Sequence, residues 1–297
     1  MTRSDGGLVL LRKPAGVTSF RALGELKRSL GTKKIGHTGT LDRFATGLLV
    51  VLVGRATKLA QFFSGLDKSY RAVFRFGVET ETLDPEGAIV GEGPVPALDD
   101  VKARLGGFVG TIRQRPPRFS AVHVGGERAY RRALSGEDVV VPERDVVIYG
   151  IDILGFSPPD LSVSVSCSSG TYVRSLARDL AQATGSRAHV VELERHSVGP
   201  FSLEGAAPPD EITDTAVVPF EVFVPKIPTV GMAQISDAER HTMDRGGRIA
   251  PSSLEMSRPA RTTDGPVAVF GRDGRFLGIV ASSGDRIRYI FNRGSAS

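Results

Sequence analysis

Several things are scarce in this sequence, and each scarcity excludes something. Its 297 residues hold a single cysteine, Cys167, so no intramolecular disulfide can form, which suits a reducing cytosol. Its five histidines (His37, His123, His189, His196 and His241) are scattered without metal-ligand spacing, so no metal is expected. No apolar run approaches the roughly 20 residues a membrane helix needs. The segment Met1–Gly7 is polar and lacks the apolar core of a signal peptide. The expectation is a cytoplasmic protein without a membrane partner.

What remains is ordinary in amount and uneven in placement. Hydrophobic content of 40% and charged content of 24% describe a globular chain, long enough for one large domain and a small one. Residues 1–60 carry eleven Lys or Arg against three acids. Residues 61–112 reverse the sign, with five bases against eight acids. Residues 113–132 then hold six arginines against Glu127 alone. Two basic blocks around an acidic one outline a polyanion footprint, with ordinary solvated surface as the alternative.

Between the blocks' first half and the core lies Gly36-His37-Thr38-Gly39-Thr40-Leu41-Asp42-Arg43-Phe44-Ala45-Thr46-Gly47. The apolar run Leu48–Val53 that follows reads as a buried strand. A glycine-jointed loop entering such a strand can hold an acid at the edge of the core, although a lone Asp among glycines is most often a turn residue. Upstream, residues 8–11 read as a strand and residues 18–29 as a helix, with Lys27, Arg28, Lys33 and Lys34 at its end, where cations suit the helix dipole. In residues 69–78, Tyr70, Ala72, Phe74, Phe76 and Val78 share one strand face, so Tyr70 opens an apolar face. Residues 79–97 read as an acidic surface loop, and 125–133 as a basic helix. Residues 161–167 alternate strictly, which makes Cys167 a buried structural thiol. Arg174 falls in the first turn of a helix, where the dipole disfavours a cation, so a carboxylate partner is expected for it. Prolines from 208 to 228 mark a boundary near residue 226. Short strands beyond it suit a small β-barrel.

Five ordered stretches resemble one family, the TruB group of bacterial tRNA pseudouridine synthases. They are residues 13–19 (Lys-Pro-Ala-Gly-Val-Thr-Ser), the Gly36–Leu49 loop and Lys68-Ser69-Tyr70. The others are Gln114…Pro116-Pro117…Ser120-Ala121 and Ser169-Gly170-Thr171-Tyr172-Val173-Arg174-Ser175-Leu176. The resemblance implies an α+β pseudouridine synthase fold, with a mixed, mostly antiparallel central sheet flanked by helices and loops. It implies a catalytic domain over 1–225 with a thumb-like insertion at about 118–146, and a PUA-like β-domain over 226–297. Asp42 would be the nucleophile, Tyr70 would stack on the target base and take part in removing its C5 proton, and Arg174 would pair with Asp42. His37 would position or flip the RNA loop, and Tyr172 and Leu193 would line the uracil pocket. Lys13, Arg118, Arg128 and Tyr130 would touch RNA. The substrate would be the T arm of tRNA, handled by a monomer without cofactor, metal, guide RNA or obligatory protein partner. Arg43, Phe119, His123, Glu194 and His196 depart from the family's usual residues. The rival readings are a non-catalytic RNA chaperone of the same fold, a nucleoside-cleaving glycosidase, and a guide-RNA-dependent relative.

Overall fold

The computed structural model describes residues 6–294 except 121, 125, 126, 129–131, 133–136, 138, 139 and 285. Its first unit is β1 (Gly6–Lys13), α1 (Ser19–Ser29), β2 (Ile35–His37) and β3 (Thr46–Gly54). Thr18 caps α1 by accepting the Arg21 amide, and Ala22, Leu23 and Leu26 bury one helix face on the sheet. Strand β3 is apolar on both sides. Leu49, Val51 and Val53 pack under α1, while Leu48, Val50 and Leu52 join a second core on the opposite face. Burial on two faces removes the need for polar alternation.

After α2 (Gln61–Ser64) come β4 (Lys68–Phe76), β5 (Val78–Thr80), β6 (Ile89–Glu92), α3 (Leu98–Leu105) and β7 (Gly110–Gln114). A short pair, β8 (His123–Val124) with β9 (Glu127–Arg128), precedes β10 (Arg144–Ser157) and β11 (Asp160–Cys167). Then α4 (Val173–Ala183), β12 (Ala188–Val198) and β13 (Phe201–Ser202) finish the larger sheet. Its strand order is β1-β3-β12-β4-β11-β10-β7, with β2 on β3 and β13 on β12. Only β3 and β12 run parallel, through Thr46 beside Glu194 and Gly47 beside Arg195. The expected α+β architecture with a mixed, mostly antiparallel sheet is the one observed. Tyr70, Ala72, Phe74 and Phe76 of β4 pack with Val163, Val165 and Cys167 of β11 against Leu176, Ala177 and Leu180 of α4.

Three expectations need correction. Residues 79–97 are not simply a surface loop: β5 and β6 form a hairpin whose turn drives Leu83 and Asp84 into the interior. Leu83 has φ 61°, and its carbonyl accepts the Val190 amide, which pins the turn to β12. Of the segment expected as a basic helix, Glu127–Arg128 lie in a short strand and Arg132 is helical, while Tyr130 and most of that stretch lie outside the described residues. The C-terminal part is also more than short strands. After α5 (Phe220–Phe223) come β14 (Gly231–Ile235), α6 (Asp237–Asp244), β15 (Glu255–Arg258), β16 (Pro266–Gly271), β17 (Phe276–Ser283) and β18 (Arg286–Asn292), so a helix accompanies the expected strands. The five strands make a separate sheet, ordered β15-β14-β16-β17-β18. Helix α6 begins with a capping box between Ser236 and Glu239, a pattern visible in the sequence and passed over.

The two sheets share one core. Phe220 of α5 stacks on Phe276 at 5.2 Å and on Phe291 at 5.7 Å, and both belong to the cluster that holds Leu48, Val50 and Leu52. Arg55 donates to the carbonyls of Arg293 and Asn292, both at 2.6 Å, tying the end of β3 to the end of β18.

Candidate active site

The loop between β2 and β3 is held from four directions. Thr38 donates its amide to the Val50 carbonyl at 3.0 Å. The buried Ser19 hydroxyl accepts from the Leu41 amide at 3.0 Å and donates to the Leu41 carbonyl at 3.1 Å. Lys13, fully buried, gives its ammonium to the carbonyls of Pro14, Val17 and Arg43 at 2.8, 2.7 and 3.2 Å. Buried Arg195 donates to the carbonyls of Leu48, Thr40 and Gly39 at 2.8, 3.2 and 3.0 Å. Such backbone clamps fix a loop that has no regular hydrogen bonding of its own.

Gly47 lets Arg195 come this close. Its φ is 103°, and a Cβ there would sit 2.4 Å from the Arg195 carbonyl oxygen and 2.6 Å from its nitrogen. Gly47→Ala is therefore expected to cost on the order of 3 kcal/mol, from left-handed strain plus displacement of β12. Urea unfolding measures this; a loss below about 1 kcal/mol would show that the β3–β12 junction yields easily.

Asp42 projects from this loop onto Arg174, which the first turn of α4 delivers from below. Nη2 of Arg174 donates to Oδ1 of Asp42 at 3.0 Å, and Nε approaches Oδ2 to 2.9 Å off the ideal hydrogen-bond line. The guanidinium also donates to the carbonyls of Thr82 at 2.7 Å and Phe119 at 3.1 Å, and to Oδ2 of Asp84 at 3.2 Å. Side-chain exposure is 4% for Arg174 and 7% for Asp84, but 33% for Asp42. The cation is thus sealed between two carboxylates, and only Asp42 keeps an edge open. Asp84 is further held by the Thr82 hydroxyl and by the Glu86 amide at 3.1 Å.

Burial pushes the Asp42 carboxyl above its ordinary value of 3.8, with Asp84 adding to the rise and Arg174 and Lys13 opposing it. Burial likewise lowers the Lys13 ammonium to about 8, while Asp42 holds it up. The Tyr70 phenol, buried on the inner face of β4, is pushed up by burial and pulled back by the charge of Arg195. It is a neutral hydroxyl near pH 7. His37, at the end of β2, is lowered by burial and by Arg195, so its ring is neutral there too. Tyr172 precedes α4 with its amide on Oε1 of buried Gln114 at 2.8 Å and the Arg144 guanidinium 5.1 Å from its ring centroid. Leu193 pairs with Ala72 two residues along from the Arg195–Tyr70 pair, so it faces the same side as Tyr70. It also touches a cavity of about 540 Å³ whose other walls include Arg71, Ser162 and Glu192; Asp42, Tyr70 and Arg174 are not among them.

The structure thus clamps Asp42 to Arg174, sets Leu193 on the strand face of Tyr70, and leaves His37 at the end of β2 where the loop begins. Lys13 is a correction: its ammonium is spent on three backbone carbonyls, so it braces the loop and offers nothing to a phosphate. Arg118 donates to the Glu137 carbonyl at 3.1 Å; the Arg128 side chain and Tyr130 lie outside the described residues. Arg43 keeps the loop tied to its surroundings, with Nε 3.1 Å from the Gly16 carbonyl and 3.6 Å from Glu86. Two residues were missed. Asp84 was hidden in an acidic stretch that looked solvated. Arg195 had a visible signal: it is a cation at an inward position of an alternating strand. Among the described residues no group of three or more His, Cys, Asp or Glu side chains could hold a metal.

Comparison with known proteins bears on the family and the fold. A family profile described as TruB family pseudouridylate synthase (N terminal domain) matches residues 27–173. The chain is 46% identical over 220 residues to the tRNA pseudouridine synthase B of Borreliella burgdorferi, covering 73% of this chain and 78% of that protein. It is 37% identical over 286 residues to the protein of the same name from an Arthrobacter species, covering 94% and 93%. Among solved structures, a Cbf5-Nop10-Gar1 complex contains a chain that superposes with a TM-score of 0.73. That match covers 98% of this chain and 86% of the other at 23% identity, a likeness of fold.

Proposed function

The chain belongs to the TruB family of pseudouridylate synthases, and we propose that its substrate is tRNA and its target the T-loop uridine conventionally numbered 55. The observation that carries the mechanism is the asymmetric clamp on Asp42. A carboxylate gripped by a sealed guanidinium, with one edge open, is oriented toward a substrate and supplied with a counter-charge.

The reaction breaks the C1′–N1 bond and joins C1′ to C5, so it is redox-neutral and calls for no cofactor. Asp42 attacks the sugar or stabilises the departing uracil, and three nearby cations, Arg174, Arg195 and Lys13, outweigh the two carboxylates Asp42 and Asp84. The base of a folded loop must leave its stack to reach this edge, and Tyr70 offers an aromatic surface to hold it. With its phenol pushed up, Tyr70 serves as a platform more readily than as a base. Asp42, freed once the new C–C bond forms, is then placed to accept the C5 proton. His37 positions the RNA loop as a neutral donor or acceptor. The thumb-like insertion and a PUA-like module over 226–297 add RNA surface to a cytoplasmic, guide-independent monomer.

A glycosidase would need a second acting carboxylate facing the first across the substrate. Here the second carboxylate, Asp84, is buried and turned onto Arg174. Incubating an unmodified tRNA transcript with the protein and mapping pseudouridine tests the assignment. Modification confined to position 55 supports it; release of free uracil, or modification only elsewhere, sinks it.

The raised Asp42 carboxyl sets the pH dependence. The group must be ionised to act, so activity is lost as pH falls through its folded-state value, which lies above 3.8. The acidic limb of kcat/KM is therefore expected at higher pH than for a free aspartate. A limb at or below that of a free aspartate would mean that Arg174 outweighs burial.

A further inference from the structure

The exposed face of α1 has no place in the mechanism above. Phe20 is 76% exposed, although it directly follows Ser19, the residue that pins Leu41 beside Asp42. The Lys27 ammonium lies 5.6 Å from the Phe20 ring centroid. Arg21, Arg28, Lys33 and Lys34 are all exposed, and none of their side chains is paired with an acid among the described residues. Glu25 is the only acid on the helix. Helix-dipole complementarity explains Lys27 and Arg28 in the last turn. It explains neither a phenylalanine left in water at the other end nor Lys33 and Lys34 beyond it.

We infer that this face is a second RNA-contacting surface, outside the thumb, which grips the stem of the hairpin that presents the target uridine. The inference rests on the tRNA reading given above. An aromatic ring beside unpaired cations is the combination that stacks on a nucleotide while neutralising its phosphates. The position fixes which part of the RNA it meets. Phe20 starts at the catalytic loop, and the eleven residues of α1 extend about 16 Å away from it. With a phosphate about every 3 Å of helix axis on one strand, that reach covers roughly five phosphates. The strand leading out of the flipped nucleotide therefore runs along α1, with Phe20 near the loop and Arg28, Lys33 and Lys34 toward the stem.

The test uses the full chain and an isolated T-arm hairpin. Replacing Arg21, Arg28, Lys33 and Lys34 together by Gln is expected to flatten the log–log salt dependence of hairpin binding by about two to three. Phe20→Ala is expected to raise KM about five- to tenfold with kcat unchanged, because the ring contacts RNA and supports no core. A purely structural role would instead lower kcat and thermal stability together. An unchanged salt slope overturns the inference, as does an effect seen with whole tRNA but absent with the hairpin. A wild type that binds the hairpin with the expected slope yet forms no pseudouridine would remove the catalytic reading and leave this one standing.

Discussion

Asp42→Asn is expected to abolish isomerisation, with kcat reduced by about 10⁴-fold or more, while hairpin RNA still binds within about threefold. The amide has nearly the shape of the carboxylate but neither its charge nor its nucleophilicity. The local geometry adds a second cost. Arg174 presents Nη2 and Nε to the two oxygens of Asp42, and asparagine offers one acceptor and one donor to those two donors. One edge of the guanidinium then faces an NH₂ group, so a modest loss of stability is expected as well. Single-turnover assays with enzyme in excess over tRNA separate the chemical defect from binding. Residual activity within about tenfold of wild type would overturn the role given to Asp42.

The second large effect concerns Arg174. Arg174→Gln removes the cation that two carboxylates share and empties its hydrogen bonds to Thr82 and Phe119. Removing one partner of a buried ion pair costs about 3–5 kcal/mol because the other charge is left uncompensated. If that energy is withdrawn from the transition state in full, it corresponds to a rate loss of roughly 150- to 5,000-fold. The acidic limb of activity should also move further up, since the main force opposing burial at Asp42 is gone. Arg174→Lys restores charge without the side-on fork, so only part of the rate should return.

A double mutant separates structure from chemistry. Adding Asp84→Asn to Arg174→Gln relieves the sealed carboxylate and should recover stability, but not kcat. Recovery of both would assign Arg174 to folding alone. No rate loss for Arg174→Gln would show that Lys13 and Arg195 suffice to hold Asp42 ionised.

The readable parts of this chain were those whose information is local. Periodicity placed β4, β11 and α4, because burial of one face imposes a repeat of two or 3.6 on the residues themselves, while an unbroken apolar run placed β3. The first-turn position of Arg174 demanded a carboxylate, and Asp42 is one of the two it has. The resemblance to a family added the roles that spacing by itself left open between turn and catalyst. Lys13 shows where the resemblance misled: it implied an RNA contact, yet folding turned the side chain inward onto three carbonyls.

Asp84 and Arg195 required the tertiary structure. Asp84 is 42 residues from Asp42 and 90 from Arg174, in a stretch whose acidity matches any solvated hairpin. Only the pairing of β5 with β6, and the docking of their turn on β12, carries it inside. Arg195 meets Gly39 and Thr40 because β12 inserts parallel to β3, a neighbour relation that no stretch of sequence contains. The sequence by itself determined β3, β4, β11, α4 and the need of Arg174 for a carboxylate partner. The tertiary structure decided which other charges share that cation and which clamp the loop. Burial and Coulomb energies depend on distances between segments, and those distances exist only after the sheet has closed.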